Sequence, residues 1–325
     1  MIIKLFTQLL LASAVLQFFP ADAGELETRA TLPTASTRSF DLFEAYEVIS
    51  HRLPEAPDRP RAPVKLVSAS MGVVTSARSA IVVDRASHEV LFEKNVAEPR
   101  AIGSITKLMT VYLFLQGNPD LDAPATLTSE DLRFGAELHL AIGETVTVRD
   151  LLKASLIGSD NSSTAALARL SGMSEGDFIA RMNETAAEFG MQRTTFDDAT
   201  GLSSKNVSVV SDLAILFDKI LENETIAEIT QLSQATIVGS SGRRYLVEST
   251  DELLGTFIDQ PPYDIIGGKT GFLPEAGYCL GTIFSNENGG EIIVVVLGSE
   301  TKEGRFQDVK SLAVWAYKTF DWPTL

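Results

Sequence analysis

The chain has 325 residues, 45% of them hydrophobic, with glycine and proline at ordinary levels, enough for one large domain or two closely packed ones. Its formal charge of −16 excludes the basic face that a nucleic-acid binder needs and reads as an acidic, soluble surface. The single Cys279 excludes an internal disulfide, and His51, His88 and His139 are scattered without metal-ligand spacing, so neither metal nor cofactor is expected.

In chain order, Lys4, the apolar run LFTQLLLASAVLQFF and then Ala21-Asp22-Ala23 read as an export signal over residues 1–23. The run is short for a membrane span, so no stable span is expected after cleavage. Residues 24–76 are rich in Pro, Thr and Arg and read as a leader with one helical piece, FDLFEAYEVISHRL. The folded domain is expected over 77–325. SAIVVD and EVLFEKN predict a β-hairpin around Arg85-Ala86-Ser87. SITKLMTVYLFLQ, residues 104–116, is almost wholly apolar and predicts a buried central helix.

Four more helices follow in a helical insertion over about 117–232. The first opens on Thr147 and Asp150 as a capping box. SSTAALARLSG is the second. Ser174 and Asp177 frame the third, which stops at Gly190, and SDLAILFDKILEN is the fourth. From about 235 strands return, as ATIVGS, RRYLVES, YDIIGGKTG, GYCLGTIFS and EIIVVVLGS, the last two joined by the turn NENGG. RFQDVKSLAVWAYKTF closes the chain as an amphipathic helix. The order predicts an α+β fold: an antiparallel β-sheet built from both chain ends, flanked by helices, with an inserted all-α subdomain.

Gly268-Lys269-Thr270, in DIIGGKTGFLPEAG, has the look of a phosphate loop but fails as one. The required earlier glycine is Tyr263, and a strand-like run follows instead of a helix. Three short motifs stand in order: SITK at 104–107, SDN at 159–161 and KTG at 269–271. Each is cheap alone, since a second S-x-x-K occurs as SETK at 299–302 and a second S-x-N as SKN at 204–206. Context separates the copies. Ser104 and Lys107 share one face at the start of the apolar helix, and SDN lies between two short helices. SETK follows a strand with nothing downstream to complete a site. No G-x-S-x-G is present, and the histidines offer no Ser-His-Asp triad.

S-x-x-K, S-D-N and K-T-G together form the motif set of penicillin-binding proteins and class A β-lactamases. With the flanks RAIGSITKLMTVY, TTFDDATGLSSKNVSVVSDLAIL and KTGFLPEAGYCL, the chain resembles the low-molecular-mass penicillin-binding proteins over roughly residues 78–320. These are the serine D-alanyl-D-alanine carboxypeptidases and endopeptidases. The resemblance implies a β-lactamase/transpeptidase-like fold, location in the periplasm or cell envelope, peptidoglycan stem peptides as substrate and β-lactam antibiotics as acylating inhibitors.

It also implies roles. Ser104 is acylated, with Lys107 as its base; a serine hydroxyl needs such a base, and burial beside the Lys269 cation favours a neutral amine. Ser159 and Asn161 relay the proton and hold the substrate amide. Lys269 and Thr270 bind a terminal carboxylate, and Gly271 leaves room for substrate backbone along the strand. The backbone N–H groups of Ser104 and Phe272 are the expected oxyanion donors. Asp160 and Phe272 resemble the endopeptidase branch, because the carboxypeptidases more often carry SGN and KTGH. The chain ends soon after its last helix, so the extra β-domain and membrane-binding tail of many carboxypeptidases are not expected.

Two alternatives stand beside this reading. A serine β-lactamase shares the motifs, but the E-x-x-L-N string of the class A enzymes is absent. A catalytically silent peptidoglycan-binding scaffold has no need of both Ser104 and Lys107. Glu275 and Tyr278, just past KTG, either line the groove or stand by as loop residues.

Overall fold

The computed structural model describes residues 60–66, 70, 72–135 and 137–322. The expected export signal and the helical piece expected in the leader lie outside the described residues.

Strand β1 (Val64–Lys65) falls in the stretch read as leader. β2 (Ser79–Asp84) and β3 (Val90–Lys94) form the expected antiparallel hairpin. Its turn is fixed by the Asp84 carboxylate, which accepts from the Ser87 N–H at 2.9 Å and hydroxyl at 2.6 Å. β4 (Arg100–Ala101) leads through a single 3-10 turn, Gly103–Ile105, into α1 (Thr106–Gln116). β5 (Pro124–Thr126) and β6 (Thr145–Thr147) make a small antiparallel ribbon in the helical insertion.

α2 (Val148–Leu156) starts on the predicted box, with Thr147 and Asp150 capping each other. α3 (Asn161–Leu170) and α4 (Glu175–Glu188) follow, capped by Asp160 and Ser174. β7 (Val207–Ser208) pairs with β4 and precedes α5 (Val210–Ile220). A short helix the sequence reading did not separate, α6 (Glu224–Thr230), is capped by Asn223. β8 (Gln234–Val238) and β9 (Arg244–Glu248) pair only with each other. Then come β10 (Tyr263–Leu273), β11 (Gly277–Asn286), β12 (Glu291–Ser299), α7 (Lys302–Thr319) and β13 (Phe320–Asp321), which pairs with β1.

The main sheet has the order β10-β11-β12-β2-β3, antiparallel throughout, so strands from both chain ends meet at its centre. Its central strands are apolar on both faces, and their side chains sort by the period of two. Ile81, Val83, Ile293, Val295 and Leu297 pack toward the helical insertion with Leu108, Met109 and Leu216. Ala80, Val82, Ile292, Val294 and Val296 pack on α7 with Phe306, Val309, Leu312 and Ala316. Each fully buried Val or Ile side chain contributes ~1.5–3 kcal/mol relative to exposure, which makes this sandwich a rigid platform for the edge strand β10. Among the described residues, no helix is long and apolar enough to cross a membrane.

Candidate active site

The serine turn is held by backbone packing. Gly103 has φ +53°, and a Cβ there would lie 2.8 Å from the Phe272 nitrogen, so only glycine lets the turn press against β10. Ser104 follows, and one turn later Lys107 points back at it from α1. The Lys107 Nζ lies 2.8 Å from the Ser104 Oγ and donates to the Asn161 Oδ1 and the Thr200 carbonyl, each at 2.7 Å. Its neighbours Leu108, Met109 and Val111 are fully buried, and Lys107 is 0% exposed. Burial pushes the Lys107 ammonium down to about 7, against the pull of Asp160 and Asp198.

The SDN segment divides its labour. Ser159 has φ +60°, an αL position that costs a serine about 1 kcal/mol. Asp160 is structural: one carboxylate oxygen caps α3 at the Ser163 N–H (2.6 Å), and the other accepts from the His139 N–H at 2.8 Å. Asn161 opens α3 and reaches Lys107. Ser159 faces the other way, its Oγ accepting from the Lys269 Nζ at 2.9 Å.

Lys269, Thr270 and Gly271 lie on β10, an edge strand of the main sheet. The Thr270 hydroxyl pairs with that of Thr250 at 2.7 Å. Lys269 is 1% exposed. Burial first, and then the cations Lys107 and Arg305, hold its ammonium well below the usual lysine range; Asp251 pulls it back up. Asp251 is itself buried, has one carboxylate oxygen without a hydrogen-bond partner, and is pushed up to about 6, chiefly by burial.

Gly271 has a part in the packing that the sequence did not show. A Cβ there would sit 2.3 Å from the Ile102 carbonyl oxygen, so the missing side chain makes room for the serine turn. Phe272 is half exposed and stacks on Tyr278, ring centroids 4.5 Å apart.

Ser104, Ser159, Thr270, Gly271 and Phe272 line one cleft of about 380 Å³, and Lys107, Asn161 and Lys269 reach it through their hydrogen bonds. All eight expected site residues therefore meet in one place. A larger cavity, about 560 Å³, lies beside the 198–203 segment and contains none of the eight.

The sequence reading missed three contributors. Thr200 offers only a carbonyl, held by the Asp198 carboxylate, which accepts from the N–H groups of Thr200, Gly201 and Ser203. Asn206, from the discarded SKN copy, is buried and locks that loop, donating to Thr106 Oγ1 at 3.0 Å and the Asp198 carbonyl at 2.9 Å. Arg305 on α7 donates to the Gly271 carbonyl at 3.3 Å and lines the cleft. The other discarded copy forms no serine–lysine pair: Ser299 donates to Asp308, and Lys302 pairs with Glu252.

The fold is that of the penicillin-binding transpeptidases. A Streptomyces DD-transpeptidase superposes with a TM-score of 0.70 at 26% identity, covering 77% of this chain and 100% of that one. An ampicillin-bound penicillin-binding protein of Listeria monocytogenes gives 0.65 at 32% identity, covering 76% and 99%.

The chain matches the D-alanyl-D-alanine carboxypeptidase family over residues 65–301 and belongs to this family of serine peptidases. The carboxypeptidase DacF of Bacillus subtilis is 30% identical over 254 residues, 75% of this chain. The chain spans only 63% of that relative's length. A D-alanyl-D-alanine endopeptidase of Haemophilus influenzae is 34% identical over 214 residues, 65% of this chain and 71% of the relative.

Proposed function

We propose that the protein is an exported serine D-alanyl-D-alanine peptidase that cuts peptidoglycan stem peptides through an acyl-enzyme on Ser104, with cross-link cleavage as its preferred reaction. Residues 1–23 act as the export signal, 24–76 as a leader and 77–325 as the peptidase domain, working in the periplasm or cell envelope.

The carrying observation is the set of partners around Lys107. A neutral amine has two N–H donors and one lone pair. Two of its three contacts, the Asn161 Oδ1 and the Thr200 carbonyl, can only accept, so the lone pair is left for the Ser104 hydroxyl. With its pKa brought down to about 7, this amine is available as a base near neutral pH.

In the reaction, Ser104 gives its proton to Lys107 while Oγ bonds to the carbonyl carbon of the penultimate D-alanine. The N–H groups of Ser104 and Phe272 receive the oxyanion. The C–N bond then breaks, and Lys107 gives the proton to the leaving amine; the Ser159 hydroxyl, hydrogen-bonded to Lys269, takes its relay part by turning toward Lys107. Water next attacks the ester, frees the shortened peptide acid and restores the serine. Thr270, Lys269 and Arg305 hold the carboxylate of the leaving residue, and β-lactams acylate the same hydroxyl. Asp160 and Phe272, together with the endopeptidases among the relatives, support the cross-link preference.

Fluorescent penicillin tests the reading. Lasting label that is lost in Ser104→Ala supports it; rapid release of label indicates a β-lactamase. Label absent from wild type and variant alike indicates a scaffold. Digestion of muropeptides then separates trimming of monomers from cutting of cross-links.

A further inference from the structure

α7 begins at Lys302, and Arg305 lies three residues on, so both project from the same face of its first turn. Facing them is the segment that leaves β9, residues 250–252. Two bridges cross between helix and segment. The inner one is Arg305, which is 4% exposed and reaches the Thr250 carbonyl at 3.5 Å and the Gly271 carbonyl at 3.3 Å. It runs beside the Thr250–Thr270 hydroxyl pair. The outer one is the ion pair of Lys302 Nζ with Glu252 Oε1, 2.5 Å long, with both side chains 51% exposed. Thr250, Glu252, Lys302 and Arg305 all line the cleft that contains Ser104.

The two bridges have different chemistry. The inner one is buried and cationic beside a hydroxyl pair, which suits a carboxylate. The outer one is neutral as a pair and half in water, where such contacts open at little cost. It lines the same cleft, two residues on from Thr250 and three before Arg305.

Resting on the peptidase reading above, we propose that the Glu252–Lys302 pair is a specificity gate on the leaving-group side of the cleft. Closed, it admits a leaving group that ends at its own carboxylate-bearing residue. Open, it lets through a leaving amine whose side chain continues into a second peptide. The gate sets the balance between release of a terminal D-alanine and cleavage of a cross-link, and leaves the acyl-enzyme step on Ser104 as it is.

The full chain is assayed as wild type, Glu252→Gln, Lys302→Met and the charge exchange Glu252→Lys with Lys302→Glu. Two ratios are read: cross-linked dimer cleavage over D-alanine release, and acylation by cephalosporins carrying a bulky or a small group next to the ring carboxylate. Each single variant raises both ratios about threefold or more, and the exchanged pair returns them toward wild type, as expected for an exposed ion pair. Ratios within about twofold of wild type in every variant overturn the gate. If no β-lactam labels the unaltered chain, the peptidase reading fails and takes the gate with it. Labelling with invariant ratios removes the gate alone.

Discussion

Lys107 and Lys269 are the same side chain in the same cleft, both sealed from water and wired differently. Lys107 meets two obligate acceptors and a hydroxyl. Lys269 meets the Ser159 hydroxyl and, at 3.3 Å, the Thr270 carbonyl. Burial lowers both. Lys269 is lowered further by Lys107 and Arg305, with Asp251 as the nearby carboxylate opposing them. The contrast teaches that Lys269 has more cations than carboxylates acting on it, Lys107 and Arg305 against Asp251. On the proposed reading, an incoming carboxylate adds counter-charge beside Lys269 and favours its ammonium, while Lys107 serves as the base.

Exchanging each lysine for alanine is the strongest way to break this contrast. Lys107→Ala lowers the rate of Ser104 acylation by about 10²–10⁴-fold, the usual loss on removing a general base. Lys269→Ala lowers it by about ten- to a hundredfold, the worth of one charge-assisted hydrogen bond. A penicillin methyl ester discriminates between them: the Lys269 deficit shrinks when the carboxylate is masked, and the Lys107 deficit persists. Equal deficits with acid and ester would mean that the two lysines do not divide the work.

The proposed division has a basis in the sequence, because base and anion binder would both depend on side-chain type and spacing. SITK at the head of an apolar run and KTG on a strand announce a buried amine and an edge cation. The central sheet was legible for the same kind of reason, since EIIVVVL, apolar on both faces, has only one place to go. Thr200 was not legible, because it acts through a carbonyl that every residue carries. Arg305 sits in an ordinary amphipathic helix and looks like any solvated arginine until the sheet brings Gly271 to it. The packing role of Gly271 was not legible either: its missing Cβ serves the Ile102 turn, a contact between segments far apart in sequence. β8 and β9 were recognised as strands, but their separation from the main sheet shows only in their alternating burial against the continuous burial of β12. α6 is seven residues long, too short for a helical period to declare itself.

A pH profile sharpens the contrast with a smaller effect. Lys107 works as a base only without its proton, so acylation rises with pH through about 7 and then levels. At pH 6 the rate stands about tenfold below the plateau, one pKa unit of protonation. An ester substrate keeps this rise, because the carboxylate partner of Lys269 plays no part in it. A flat profile from pH 6 to 8 would remove Lys107 from the role of base.

The smallest effect concerns what holds each half in place. Lys107 is anchored in the packed core, whereas one wall of the cleft, the β8–β9 hairpin, buries only Ile237, Tyr245 and Val247 in it and has its tip tied to the helical insertion by the Ser240 N–H donating to the Thr145 carbonyl (2.8 Å) and by the Glu144 carboxylate. Glu144 accepts from the Ser241 N–H (2.9 Å) and hydroxyl (2.7 Å), the Tyr245 hydroxyl (2.7 Å) and the Ser240 hydroxyl (3.1 Å). These donors, the Ser241 N–H foremost, hold its carboxyl down to about 2. A lowered carboxyl pKa stabilises the fold above the unfolded value of 4.5, and that contribution disappears as pH falls toward 2, so the tie is at full strength wherever the enzyme is assayed. Leu246, Glu248 and Ser249 of the same hairpin segment face the cleft. Glu144→Gln keeps the length of the side chain but replaces one acceptor oxygen with a donor, so the hairpin loosens while Ser104 and Lys107 stay fixed. Amide exchange over residues 240–248 then quickens, and KM for the stem peptide rises about two- to fivefold with kcat held, the signature of lost binding without lost chemistry. A fall in kcat with exchange unchanged would mean that Glu144 acts on the reactive half after all, and that the two halves are not separately supported.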